Sequence, residues 1–201
     1  MTSTRQRLLE AASHVITQQG VANLTLDAVA QNANVSKGGL LYHFPSKEAL
    51  IQSILQYLLD SFGAQLQAEL ARSTEPPGTP GRWLRAYIRA SFPDPAPEGG
   101  DDVVSAALAV AVAADPGLLA ALRRAFGQFR DQALQDGLDP VQADLIRLAT
   151  DGLWFSEVLQ LAPLPLDARA GVIACLLQWT SDGASAAIPS IKTGSTESTQ
   201  P

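Results

Sequence analysis

At 201 residues, 46% apolar and 17% charged, the chain is long enough to bury a sizeable core and reads as a globular protein for water. Its net charge of −6 is uneven, because residues 1–48 hold four Lys/Arg against three acids while residues 49–201 hold ten against seventeen. One cysteine, Cys175, excludes an internal disulfide and a multi-cysteine metal site, and the apolar run over 103–114 falls short of the ~20 residues that span a bilayer. Arg5, Arg7 and Glu10 among the first leucines do not suit a secretory leader, so a cytoplasmic location with no membrane partner is expected.

The first predicted helix covers residues 4–19, with Leu8, Leu9, Ala12, Val15 and Ile16 on one face and Gly20 as its stop. His14 lies in it and is read as a packing residue. Two short helices follow within residues 25–47, TLDAVAQNANVSKGGLLYHFPSK, folded across a tight turn at Asn34. Thr25 and Ser36 stand where a side-chain oxygen would cap each helix, and Asp27 places a negative charge near a positive helix end. Asn34 tolerates the left-handed conformation that such a turn needs.

Lys37, Gly38 and Gly39 open the second short helix. Two glycines inside a helix cost roughly 1 kcal/mol each against alanine, so something is expected to approach that backbone closely. Tyr42, His43 and Lys47 follow as a phenol, an imidazole and an ammonium able to donate to phosphate oxygens. Pro45 ends the helix and Ser46 caps the next, whose first amides offer another phosphate position.

At these residues the chain resembles the TetR family of transcriptional regulators. The resemblance runs from about residue 4 to 55: R-x-R-L-L-x-A-A at Arg5 to Ala12, A-V-A-x-x-A-x-V-S-K-G at Ala28 to Gly38, and Y-H-F-P-S-K-E-A-L at Tyr42 to Leu50, all in register. Asn34 stands where the family usually has glycine, and Leu41 where many members have tyrosine. Leu41 loses a hydroxyl contact but can still touch a thymine methyl. The resemblance implies a helix-turn-helix head that binds double-stranded operator DNA, with Thr25, Ser36, Lys37, Gly38, Gly39, Leu41, Tyr42, His43 and Lys47 at the interface.

Beyond the head, residues 46–71 read as one long helix with Leu50, Ile54, Leu58, Phe62 and Leu66 along one side. At ~1.5 Å per residue it spans nearly 40 Å and would act as a lever into a second domain. Thr79-Pro80 reads as a cap and first-turn proline for a helix bearing Trp83 and Tyr87, ending near Phe92. Residues 93–100 have loop composition, and a small-residue helix is expected over 101–114. Asp115-Pro116 and Asp139-Pro140 open helices to about 136 and 161, the first with Leu119, Leu122, Phe126 and Phe129 facing inward. Asp167 is expected to cap the last helix, to about 179.

The whole is an all-α chain of nine helices. The predicted division is a head over 1–47, a ligand-binding and dimerisation domain over 48–182, and a disordered tail over 183–201 rich in Ser, Thr, Gly and Pro. Residues 145–161 are apolar on nearly all sides, and 170–177, AGVIACLL, hold no polar residue. An outer helix should have a polar face, so a second burial partner is expected, most simply the same two helices of a second subunit in a homodimer. Glu157 is either a pocket group or part of a dimer rim.

Trp83, Tyr87, Phe126, Phe129, Trp154 and Phe155 are more aromatic mass than a small bundle needs, and they are the candidate lining of a site for a small, largely apolar effector. Enzymatic chemistry finds little support. Two histidines, both assigned to the head, leave no base for a Ser-His-Asp triad and no metal cluster. Asp101-Asp102 and Arg123-Arg124 read as solvated helix surface, and Cys175 as an inert thiol. No cofactor is expected. The reading is a ligand-responsive, homodimeric DNA-binding repressor; the alternative is a small-molecule carrier or enzyme that keeps the fold without binding an operator.

Overall fold

The computed structural model describes residues 3–20, 23–93 and 116–181. Among them run eight helices and no strand: α1 Thr4–Gln19, α2 Leu26–Asn32, α3 Lys37–His43, α4 Lys47–Arg72, α5 Arg82–Ser91, α6 Pro116–Leu134, α7 Pro140–Val158 and α8 Leu166–Trp179. The all-α expectation therefore stands. The further helix expected over 101–114 and the tail over 183–201 lie outside the described residues.

The head is built on the α1 stripe. Leu8, Leu9, Ala12, Val15 and Ile16 are all buried, against Leu24, Val29 and Ala30 of the α2 region, Leu40 and Phe44 at α3, and Leu50, Ile51, Ile54 and Leu55 of α4. Each large aliphatic buried there stabilises by roughly 1.5–3 kcal/mol, which is what fixes three short helices that could not stand alone. The local boundaries are the expected ones: Thr25, Ser36 and Ser46 accept from the amides of Ala28, Gly39 and Ala49. Asn34 takes a φ of 59° in the turn and Gly20 a φ of 81° after α1. Arg5 joins α1 to α4, donating to Ser53 Oγ at 3.1 Å with its guanidinium 5.4 Å from the Phe44 ring centre.

The core of the head also reaches outside it. Leu119, Ala121 and Leu122 of α6 pack against it beside Tyr57, Leu58 and Leu59 of α4. Ten residues on, the same α6 carries Phe129 into a second cluster with Phe62, Tyr87 and Trp83. Two helices, α4 and α6, thus run from the head into the body, where a single lever was expected.

The start of α5 corrects the sequence reading. Thr79 and Pro80 lie in a turn before the helix, and Gly81, at φ 76°, is its N-cap with no side-chain cap of its own. The cap comes from elsewhere: Asp136, just past α6, accepts from the amides of Trp83 and Leu84 at 2.8 and 2.9 Å. A Cβ at position 81 would overlap the Thr180 carbonyl, so glycine is required there. Around this junction the buried Arg85 donates to Glu75 Oε2 at 2.8 and 3.1 Å, to the Pro80 carbonyl at 3.1 Å, and to the Thr180 carbonyl and hydroxyl at 2.9 and 3.0 Å.

Burial pushes the Asp136 carboxyl above its ordinary range, against the opposing pull of the Leu84 and Trp83 amides. A carboxyl that holds its proton more tightly when folded gives stability that is complete below the unfolded value, ~3.9, and is lost as pH rises through the folded value. Asp136→Asn removes that slope. The melting temperature of the variant minus that of the parent should therefore rise from acid toward neutral pH, which parallel thermal scans would check.

Helix α7 is capped by Asp139, which accepts from the Val141 and Gln142 amides as its spacing predicts. Its exposed face is apolar and its buried face mixed. Gln142, Arg147 and Thr150 are buried with Ala143, Ile146 and Leu153, whereas Val141, Leu145 and Leu148 are exposed. After Val158 the connection passes through two left-handed non-glycine residues, Gln160 and Ala162. Helix α8 begins after Pro165, so Asp167 is not the cap but an acid in its first turn, where the helix dipole favours it. Glu157 pairs within the chain, its two oxygens accepting from Arg169 of α8 at 2.6 and 3.2 Å. Among the described residues no helix is long and apolar enough to cross a membrane.

Candidate functional site

The short helix α3 presents most of the predicted residues on an exposed edge. Lys37, Gly38, Gly39, Leu41 and Tyr42 are all exposed, with Tyr42 at 86%, while Leu40 and Phe44 on the opposite side are buried. Thr25 and Ser36 are exposed as well, and each oxygen is already an acceptor for its helix cap, which leaves the hydroxyl hydrogen to donate outward. His43 is half-buried with its ring 5.2 Å edge-on from Tyr42, and Lys47 is half-buried at the start of α4.

The glycines separate. A Cβ on Gly39 would stand 3.3 Å from Ser36 Oγ, so its smallness lets the α3 cap close. Nothing lies within 4 Å of the corresponding point on Gly38, whose lack of a side chain answers to no neighbour inside the protein. Lys37 carries a feature that spacing did not suggest: its Nζ sits 3.0 Å from Asp27 Oδ2.

In the body, all six predicted aromatics join one network. Trp83 stacks on Tyr87 at 5.1 Å, Tyr87 meets Phe129 at 5.7 Å, Phe129 meets Phe126 at 6.0 Å, Phe126 stacks on Phe155 at 6.2 Å, and Phe155 meets Trp154 at 5.0 Å. Phe62 of α4, read from the sequence only as a lever residue, completes it at 5.5 Å from Tyr87 and 5.4 Å from Phe129. Beside the rings lies a polar pair: Asp151 accepts from Tyr87 Oη and from Arg147 Nη1, both at 2.6 Å. Burial raises the Asp151 carboxyl above its usual range and, with the Asp151 charge, raises the Tyr87 phenol.

Two family profiles cover most of the described chain. "Bacterial regulatory proteins, tetR family" matches residues 8–54, and "Tetracyclin repressor-like, C-terminal domain" matches residues 81–181. The chain belongs to the TetR family. Its members are helix-turn-helix transcriptional regulators, and this TetR-family chain is all-helical over its described residues. It is similar to a transcriptional regulator from Rhodococcus sp. Rha1, whose crystal structure matches with a TM-score of 0.72 at 25% identity over 93% of this chain and 100% of that one.

Among curated regulators, BetI of Pectobacterium atrosepticum is 31% identical over 45% of each chain, and RutR of Escherichia coli K12 is 40% identical over 34% of this chain and 32% of its own. The chain therefore spans under half the length of the curated relatives that it matches.

Spacing alone missed Asp27 as a partner of Lys37, because the two lie ten residues apart on different helices. Phe62 was findable, standing on the apolar stripe along one side of the long helix. Asp151 was visible as one of two acids, with Glu157, in an apolar run, but Tyr87 and Arg147 as its partners required the fold.

Proposed function

We propose that this TetR-family chain is a homodimeric, ligand-responsive repressor that binds a near-palindromic operator and is released by a small, largely apolar effector. The observation that carries the reading is the exposed edge of α3, where Lys37, Gly38, Leu41 and Tyr42 face outward over the buried Leu40 and Phe44. In this reading α3 enters the major groove, and Thr25, Tyr42, His43 and Lys47 hold the flanking phosphates. Acting on chromosomal DNA, the protein is placed in the cytoplasm.

The dimer is supported by matching stripes on α7 and α8. Val141, Leu145 and Leu148 lie exposed at helical spacing on one, and Ala168, Val172, Cys175 and Trp179 on the other. An apolar outer face on a helix whose inner face is already packed in the core is the pattern of a helix with a second partner. Two-fold pairing sets the half-sites about one helical turn, ~34 Å, or somewhat more apart.

The effector reading rests on the aromatic network together with the route out of it. Phe62 and Phe129 belong to α4 and α6, the two helices that also pack on the head core. A guest among the rings that prefers one spacing of these helices shifts the separation of the two heads.

Gel shift of the full chain on its own upstream region tests the operator reading, and the absence of any salt-sensitive shift on a palindrome there would count against it. Lys47→Ala should weaken binding to all duplexes alike and lower the slope of log affinity against log salt by ~1, whereas Lys37→Ala should change base preference.

A further inference from the structure

The pair formed by Asp27 and Lys37 has no evident structural task. The two side chains are 69% and 58% exposed, where an ion pair does little for the fold. Lys37 opens α3, the helix end at which the backbone dipole disfavours a cation. Asp27 sets an anion on the edge that would meet a polyanion, so as a phosphate clamp the arrangement is counterproductive. A carboxylate cannot accept from phosphate oxygens, which themselves only accept.

A base-pair edge is different. We propose that Asp27 and Lys37 together read one G·C pair in the major groove, an inference that rests on the operator-binding reading above. The Lys37 ammonium has three donors, one of which is committed to Asp27 Oδ2 at 3.0 Å. The other two match guanine O6 and N7, the two acceptors of that base. Asp27 Oδ1 remains to accept from the cytosine N4 amino group, which lies next to O6 across the pair. The ion pair thus offers donors and an acceptor in the order opposite to that of the G·C edge. An A·T pair would set the adenine N6 amino group against the ammonium and thymine O4 against the carboxylate, donor on donor and acceptor on acceptor. Gly38, the next residue, has open space where a side chain would stand, so nothing beside Lys37 blocks its approach.

Selection from a library of random duplexes, with the full chain and with Asp27→Ala, tests this. Thr25 still caps α2 in the variant, and a thermal melt verifies folding; Asp27→Asn, equal in size, serves if alanine does not fold. The parent should select half-sites with a G·C pair at one position, and exchanging that pair for A·T should weaken binding by ~10-fold or more. In Asp27→Ala the same exchange should cost under ~3-fold while discrimination at other positions stays, and in Asp27→Asn it should fall in between.

If instead the variant binds every duplex more tightly and selects the same bases, the carboxylate only repels DNA and the proposal is overturned. A parent that selects a motif without any Asp27-dependent G·C position overturns it alone. A parent that selects no motif overturns the operator reading and this inference together.

Discussion

Arg85→Ala should lower the unfolding free energy by ~3 kcal/mol, near the lower bound for breaking a buried ion pair because Glu75 keeps some contact with water. The guanidinium ties the α4–α5 connection, at Glu75 and Pro80, to Thr180 after α8. Its removal strands the Thr180 carbonyl and leaves a cavity beside Gly81. For a chain of this size, melting should fall by about 10 °C at fixed protein concentration. Arg85→Lys should recover little, since a single ammonium cannot address acceptors on three sides. Circular dichroism on heating would decide, and a midpoint that did not move would refute the clamp.

The second large effect concerns assembly. Leu148→Glu alters an exposed residue in the middle of the α7 stripe, so the folded subunit should melt almost as before. In the proposed two-fold interface each copy would meet a carboxylate with no partner, entered twice by symmetry. At ~2 kcal/mol for each stranded charge, the dimer should dissociate ~1,000-fold more readily. Sedimentation across a dilution series reads this directly, and operator affinity should fall with it because each head alone carries little positive charge. A variant that sediments as an unchanged dimer would remove α7 from the interface.

Much of the head was legible because its determinants are local. Thr25, Ser36 and Ser46 cap helices that begin at the next residue, and Asn34 marks its own turn. The body was legible where the same held, as at Asp139, and illegible where a helix end is served from far away. Thr79-Pro80 has every local sign of a cap, yet α5 takes its cap from Asp136, over fifty residues on, and starts at the point where Gly81 can pass beneath Thr180.

Asp167 misled for a related reason, since an acid in a first turn and an acid at a cap look alike in a sequence. The excess of apolar residues in α7 was readable, but not that its inner face would hold Gln142 and Arg147. Periodicity counts greasy positions without saying which side they take when both sides are occupied. The aromatic residues were readable as a group, and their order along the network was not.

Helix α6, rooted among the head's leucines at one end and among the rings at the other, also implies a bargain between sites. If a guest among the rings loosens the operator by some factor, the operator must expel the guest by the same factor. A duplex titrated into guest-loaded protein would then drive the small molecule out, and the size of that expulsion would measure the regulator's switching power without a gene in sight.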